Sequence, residues 1–181
     1  MRVITISGKA EAGKDFTASI MKEILEEVDN KRVLIVHYAD YLKFIAKQYY
    51  GWDGTKSKQG RELLQRLGTD VNRKRQPDFW VNVVCRLLSA LEPDYDVAII
   101  PDCRFPNEID KMRICFTNTI SVQVVRLNYE NALTPEQRLH PSETALDDYP
   151  MDYVMEAESG REYIEEQVRI MLDEFSKTGL L

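Results

Sequence analysis

Residues 3–17 read VITISGKAEAGKDFT, an apolar β-branched run that stops at Gly8 and opens into Gly-x-x-x-x-Gly-Lys. No other stretch constrains the chain as strongly. The two glycines let the backbone bend so that successive N–H groups face an anion, Lys14 reaches toward the outer phosphates, and the next helix adds its positive end. Val3, Ile4 and Ile6 form a buried-strand pattern before the loop, and Phe16, Ile20, Ile24 and Val28 recur at four-residue spacing after it. A helix-capping turn would explain the glycines but not the order of strand, loop and helix. The segment is therefore expected to bind a nucleoside triphosphate. Asp15 stands where such loops usually offer magnesium a Ser or Thr hydroxyl, and a carboxylate would coordinate the ion directly or through water.

Further along, short apolar runs alternate with amphipathic patterns, which predicts an α/β fold with a parallel sheet and crossover helices. Strands are expected at 2–7, 32–38, 96–101, 120–127 and 152–156, with helices near 14–28, 40–50, 56–67 and 78–91. A final helix would bury Ile164, Val168, Met171, Leu172 and Phe175. More than one helix separates the second strand from the third, so residues 40–91 read as a helical insertion that would hold a second substrate. With 181 residues the chain is most simply one domain.

Ligands of open α/β sheets bind beyond the carboxyl ends of the strands. There the sequence places His37, Tyr38 and Asp40, then Asp102 and Arg104, then Arg126. Asp102 reads as a holder of magnesium or its waters, as an acceptor of a substrate hydrogen bond, or as a helix cap. Arg104, two residues on, favours a phosphate-facing pair. Arg138, His140, Ser142 and Glu143 lie in the polar stretch TPEQRLHPSE, where a segment spanning about 128–147 could close over phosphates.

A net charge of −6 argues against a nucleic-acid polymer as partner, since no basic stripe is present. The densest basic cluster, Arg73, Lys74 and Arg75, suits a small phosphorylated substrate or a solvated helix end. Cys85, Cys103 and Cys115 suggest neither a disulfide framework nor a zinc site, and no long apolar span points to a membrane. A cytoplasmic protein, monomeric or weakly dimeric, is the expectation.

The loop SGKAEAGKD, the stretch RELLQRLGTD followed by PDFWVNVV, the segment YDVAIIPDCRFPNEID, the strand VQVVRL and the late LHPSETAL together resemble phage deoxynucleoside monophosphate kinases. The resemblance runs over nearly the whole chain. It implies a P-loop kinase fold, transfer of the γ-phosphate of ATP to a (deoxy)nucleoside 5′-monophosphate with Mg2+, and residence in a host cytoplasm if the chain is phage-encoded. It assigns Gly8, Lys9, Ala10, Glu11, Ala12, Gly13, Lys14, Asp15 and the adjoining Phe16 to ATP, and Leu42, Lys43, Arg61, Gly68, Thr69 and Trp80 to the acceptor. Asp102, Arg104 and Glu108 would complete the acceptor pocket, with His140, Ser142 and Glu143 at the closing segment. Lys14, Arg104, Asp102 and Arg138 would act on the transferred group, and Asp15 and Asp102 would hold the metal. Arg66, Arg73 and Arg75 are close enough in sequence to take the place of Arg61. Phosphomevalonate-type and dephospho-coenzyme A-type kinases share parts of the pattern, and a noncatalytic nucleotide-binding regulatory module is a third reading.

Overall fold

The computed structural model describes residues 1–55, 57–129 and 131–179, with the backbone alone for residues 69–72. The strands are β1 (Arg2–Ser7), β2 (Val33–Ile35), β3 (Val97–Ile100), β4 (Thr119–Arg126) and β5 (Tyr153–Ala157). Between and after them run α1 (Lys14–Glu27), α2 (Ala39–Tyr50), α3 (Lys58–Gln65), a π-helical segment (Arg66–Arg73), α4 (Phe79–Leu91), α5 (Pro106–Cys115), the short α6 (Pro135–Arg138) and α7 (Pro141–Thr144), and α8 (Arg161–Lys177). The sheet has the order β2-β3-β1-β4-β5, and every pairing is parallel.

Burial on both faces explains the Val- and Ile-rich strands. Along β1, Ile4 and Ile6 enter an apolar cluster with residues of α1 and α8, whereas Val3 enters a second cluster with residues of α4 and α5. Thr5 and Ser7 are buried with their hydroxyls donating to the carbonyls of Ile120 and Val122. Fully burying each Ile is worth about 2–3 kcal/mol. β1 therefore lies at the centre of the sheet, and the loop that leaves it is held by strands on either side.

Three differences from the sequence expectation have physical causes. The sequence pattern shows no helix between the third and fourth strands, yet α5 forms there. Two parallel strands of one sheet need a crossover, and here it starts with Pro106 in its first turn while the Glu108 side chain accepts the Arg104 and Phe105 amides. Its buried apolar stripe is only Ile109 and Met112, too thin to show as periodicity. β2 ends at Ile35 rather than at residue 38 because side chains capture the next amides: His37 N–H donates to Asp40, and Tyr38 and Ala39 N–H donate to Asp102. The third helix, expected at 56–67, does not stop there. It widens into the π-helical segment, and the Gly68 carbonyl accepts the Trp80 indole N–H at 3.0 Å.

The helical insertion has a small core of its own, with Leu42, Ala46, Leu67 and Trp80 buried and Leu63, Leu64 and Phe79 packed around them. Among the described residues no helix is long and apolar enough to cross a membrane.

Candidate active site

The loop after β1 has the backbone an anion cradle requires. Gly8 has φ 144°, and a Cβ there would lie 2.4 Å from the Val124 carbonyl oxygen, so β4 passes too close for any other residue. Gly13 has φ 94° and precedes α1 without a side-chain cap, leaving the first-turn amides of α1 for a ligand. Glu11, at φ 62°, is held in the left-handed region by the end of β4: Arg126 donates to its carbonyl and the Tyr129 hydroxyl donates to its carboxylate.

Lys14 is buried, and its ammonium donates to the carbonyls of Gly8 at 2.9 Å and Lys9 at 2.7 Å. Burial, with the Arg104 guanidinium adding to it, lowers its pKa to about 8, while Glu143, Asp15 and Asp102 oppose the shift. Arg104 donates from one nitrogen, Nη1, to the carbonyl of Gly8 at 3.1 Å, that of Ser142 at 3.3 Å and the Glu143 carboxylate at 2.7 Å. The other Glu143 oxygen accepts the Ala10 N–H at 2.8 Å, and Lys9 pairs with Asp147. The stretch around α7 is thereby tied to the phosphate loop by charged bonds across more than a hundred residues of sequence.

A cavity of about 550 Å³ runs from this loop to the helical insertion. Of the residues singled out in the sequence, Ala10, Glu11, Lys14, Asp15, Leu42, Lys43, Arg61, Gly68, Trp80, Asp102, Arg104, Glu108 and Ser142 line it. Asp102 bridges the β3 end to α2, its two oxygens accepting the Tyr38 and Ala39 amides at 2.9 and 3.0 Å. Burial pushes its pKa up against those bonds. Asp15 is exposed and meets His37 Nε2 at 3.0 Å. Trp80 is only 3% exposed, with its ring edge-on to Phe79, so it belongs to the insertion core while also forming cavity wall.

Other expected residues stand apart from this cavity. Gly8, Lys9, Ala12 and Gly13 shape the loop from outside the lining, and Phe16 points from α1 with 43% of its surface exposed. Arg138 donates to the carbonyls of Asn131 and Leu133 within its own segment. His140 caps α7 by accepting the Ser142 N–H, and Glu143 is spent on the phosphate loop. The Thr69 side chain lies outside the described residues.

The lining also includes Phe105 and Leu64, which the sequence does not single out, together with His37 and Tyr38 from the end of the second strand and Arg73, which the sequence offers in place of Arg61. Arg73 and Glu108 form an ion pair of 2.5 Å, and the Arg73 guanidinium lies 3.9 Å from the Phe105 ring centroid. Burial raises the Glu108 pKa, opposed by the Arg73 charge and the Arg104 amide. The basic run 73–75 was the available signal for Arg73, and the positions of His37 and Tyr38 after the second strand were the signal for those two.

Among solved structures the chain is similar to a sugar kinase from Janibacter sp. HTCC2649, at 14% identity and TM-score 0.56, covering 96% of this chain and 95% of that one. It is also similar to a gluconokinase from Sinorhizobium meliloti 1021, at 14% identity and TM-score 0.54, covering 98% and 94%. A shikimate kinase from Bacteroides thetaiotaomicron matches at 15% identity and TM-score 0.51, covering 97% and 98%. At such identities these structures establish the shared P-loop kinase fold. No curated protein matches the chain. The family model for deoxynucleotide monophosphate kinase matches residues 25–168, a span that takes in the insertion, the turn carrying Arg104 and α7 but begins after the phosphate loop. With the loop established by its own geometry and most of the remaining chain by this match, the protein belongs to the deoxynucleotide monophosphate kinase family.

Proposed function

We propose that the protein transfers the γ-phosphate of ATP to a (deoxy)nucleoside 5′-monophosphate. The carrying observation is the single cavity whose lining includes both the Lys14 and Arg104 side chains beside the phosphate loop and Arg61, Leu64, Gly68 and Trp80 of the helical insertion. A donor and an acceptor bound there would share one space, as direct phosphoryl transfer between them requires. The family match supports the acceptor class.

Phosphoryl transfer asks mainly for positioning and charge neutralisation. In this reading Gly8 to Asp15 hold the triphosphate on backbone amides, with Lys14 as the chief cation. Arg104, placed between the loop and the cavity, steadies charge on the transferred group. Leu42, Lys43, Arg61, Gly68, Trp80 and Glu108 form the acceptor side, with Ser142 at its rim. Asp102 fixes the start of α2 and so the acceptor side relative to the loop.

The oxygen donors at the triphosphate end suit a hard cation. Asp15 is an exposed carboxylate that meets His37, and Asp102 lines the same cavity. Asp15 would hold magnesium, with Asp102 contributing through its remaining lone pairs, and the ion would supply charge neutralisation on the phosphate oxygens.

The test is ADP release from ATP and magnesium, measured with each deoxynucleoside and ribonucleoside monophosphate and with Lys14→Ala as control. Strong acceleration by one or more monophosphates, abolished in the variant, is the expected result. ATP binding with no acceleration by any of them would overturn the acceptor assignment.

A further inference from the structure

The basic run Arg73, Lys74 and Arg75 divides in the fold. Lys74 and Arg75 are exposed, whereas Arg73 is turned inward to the cavity wall with 15% of its side chain exposed. Its guanidinium lies over the Phe105 ring, Nη2 donates to Glu108 Oε1, and Nη1 reaches Asn107 Oδ1 at 3.5 Å. Nε is buried and has no hydrogen-bond partner among the described residues. Arg61, which lines the same cavity, is exposed.

Glu108 gives this arrangement its precision. The carboxylate is 1% exposed, and its second oxygen accepts the Arg104 and Phe105 amides at 2.7 and 3.0 Å. It therefore belongs rigidly to the turn after β3, the turn from which the Arg104 side chain reaches the phosphate loop. A guanidinium clamped by one nitrogen and one face loses little further rotamer freedom when it binds an anion, and it retains N–H donors in the fork that matches phosphate oxygens.

The geometry points to Arg73 as the residue that binds the phosphate of the acceptor, with Phe105 and Glu108 as its positioning residues. This rests on reading the cavity as a monophosphate site. Glu108 ties Arg73 to the turn that carries Arg104, and Arg73, Arg104 and Lys14 all line the one cavity. The acceptor is thereby specified as a phosphorylated nucleoside rather than a nucleoside.

Steady-state kinetics of Arg73→Lys test the assignment, using the deoxynucleoside monophosphate that the wild-type protein phosphorylates best. The KM for that monophosphate is expected to rise at least about tenfold, as for loss of a charged bidentate contact. The KM for ATP should change less than about twofold, and inhibition by the matching unphosphorylated nucleoside should stay the same. The double variant Arg73→Met, Glu108→Gln removes both buried charges together, leaving neither unpaired, and should show the same split. A monophosphate KM within about twofold of wild type, or a parallel rise in both KM values, overturns the assignment of Arg73 alone. A wild-type protein that no monophosphate accelerates overturns the acceptor reading and this assignment with it.

Discussion

The Glu143 carboxylate stands between Arg104 and the phosphate loop, accepting Arg104 Nη1 at 2.7 Å through one oxygen and the Ala10 N–H at 2.8 Å through the other. An anionic oxygen on a loop amide is chemically what a nucleotide phosphate would be. A side chain thus takes up the Ala10 amide of the loop, while Lys14 donates to the Gly8 and Lys9 carbonyls. A triphosphate bound in the proposed way would have to compete with these bonds.

Glu143→Gln weakens that competitor while keeping its shape, and charge-assisted bonds of this kind are worth roughly 1.5–3 kcal/mol each. The variant is expected to bind ATP about three- to tenfold more tightly by calorimetry and to melt a few degrees lower without nucleotide. Weaker ATP binding in the variant would mean that the carboxylate keeps its place when nucleotide is bound.

Gly8 and Gly13 should respond differently to the same added methyl group. At Gly8 a Cβ would lie 2.4 Å from the Val124 carbonyl oxygen at a φ of 144°, and backbone of β4 cannot yield without breaking its ladder. Gly13 has open space around it and only the strain of φ 94°. Gly8→Ala should cost at least about 3 kcal/mol, and Gly13→Ala about 1 kcal/mol. In thermal melts that corresponds to a drop of roughly 6–12 °C against roughly 2–4 °C. Equal drops would mean that β4 is not the constraint on the loop.

The phosphate loop was legible in sequence because its signals are local: the glycine spacing, the β-branched run before it and the four-residue repeat after it all fall within thirty residues. The α/β class followed from the same kind of pattern. Less visible were features set by partners far along the chain. The strand order depends on which edges pair, and α5 shows too few apolar positions to announce itself. The bonds from Glu143 to Arg104 and Ala10 join residues 39 and 133 positions apart. Composition shows three adjacent cations at 73–75, but only packing against Phe105 and Glu108 selects the one that faces inward.

Trp80 illustrates how packing redefines a residue's work. Its indole N–H donates to the Gly68 carbonyl at 3.0 Å, and it is buried in the insertion core with Leu42, Ala46 and Leu67. Trp80→Phe removes the donor and leaves a gap beside Leu42 and Leu67, at a cost of about 1–3 kcal/mol. A fall of roughly 3–10 °C in the melting midpoint is expected. An unchanged midpoint with a raised monophosphate KM would instead make Trp80 chiefly a platform for the base.

Lys14 gives the clearest pH prediction. Its pKa falls from 10.5 to about 8, because burial and then the Arg104 charge disfavour the ammonium. Between about 8 and 10.5 the unfolded chain keeps a proton that the folded protein has released, so this group's contribution to folding stability rises with pH across that window. A bound triphosphate places negative charge beside the ammonium and raises its pKa again. Binding above pH 8 must then take up a proton. Calorimetry in buffers of different ionisation enthalpy should find little uptake at Lys14 below neutrality, growing toward about one proton near pH 9, with affinity falling up to about tenfold per pH unit in that range. Lys14→Met should bind ATP more weakly and lose this component. If the variant kept the same uptake, the proton would belong to another group, and burial of the lysine in its own loop would not govern the affinity.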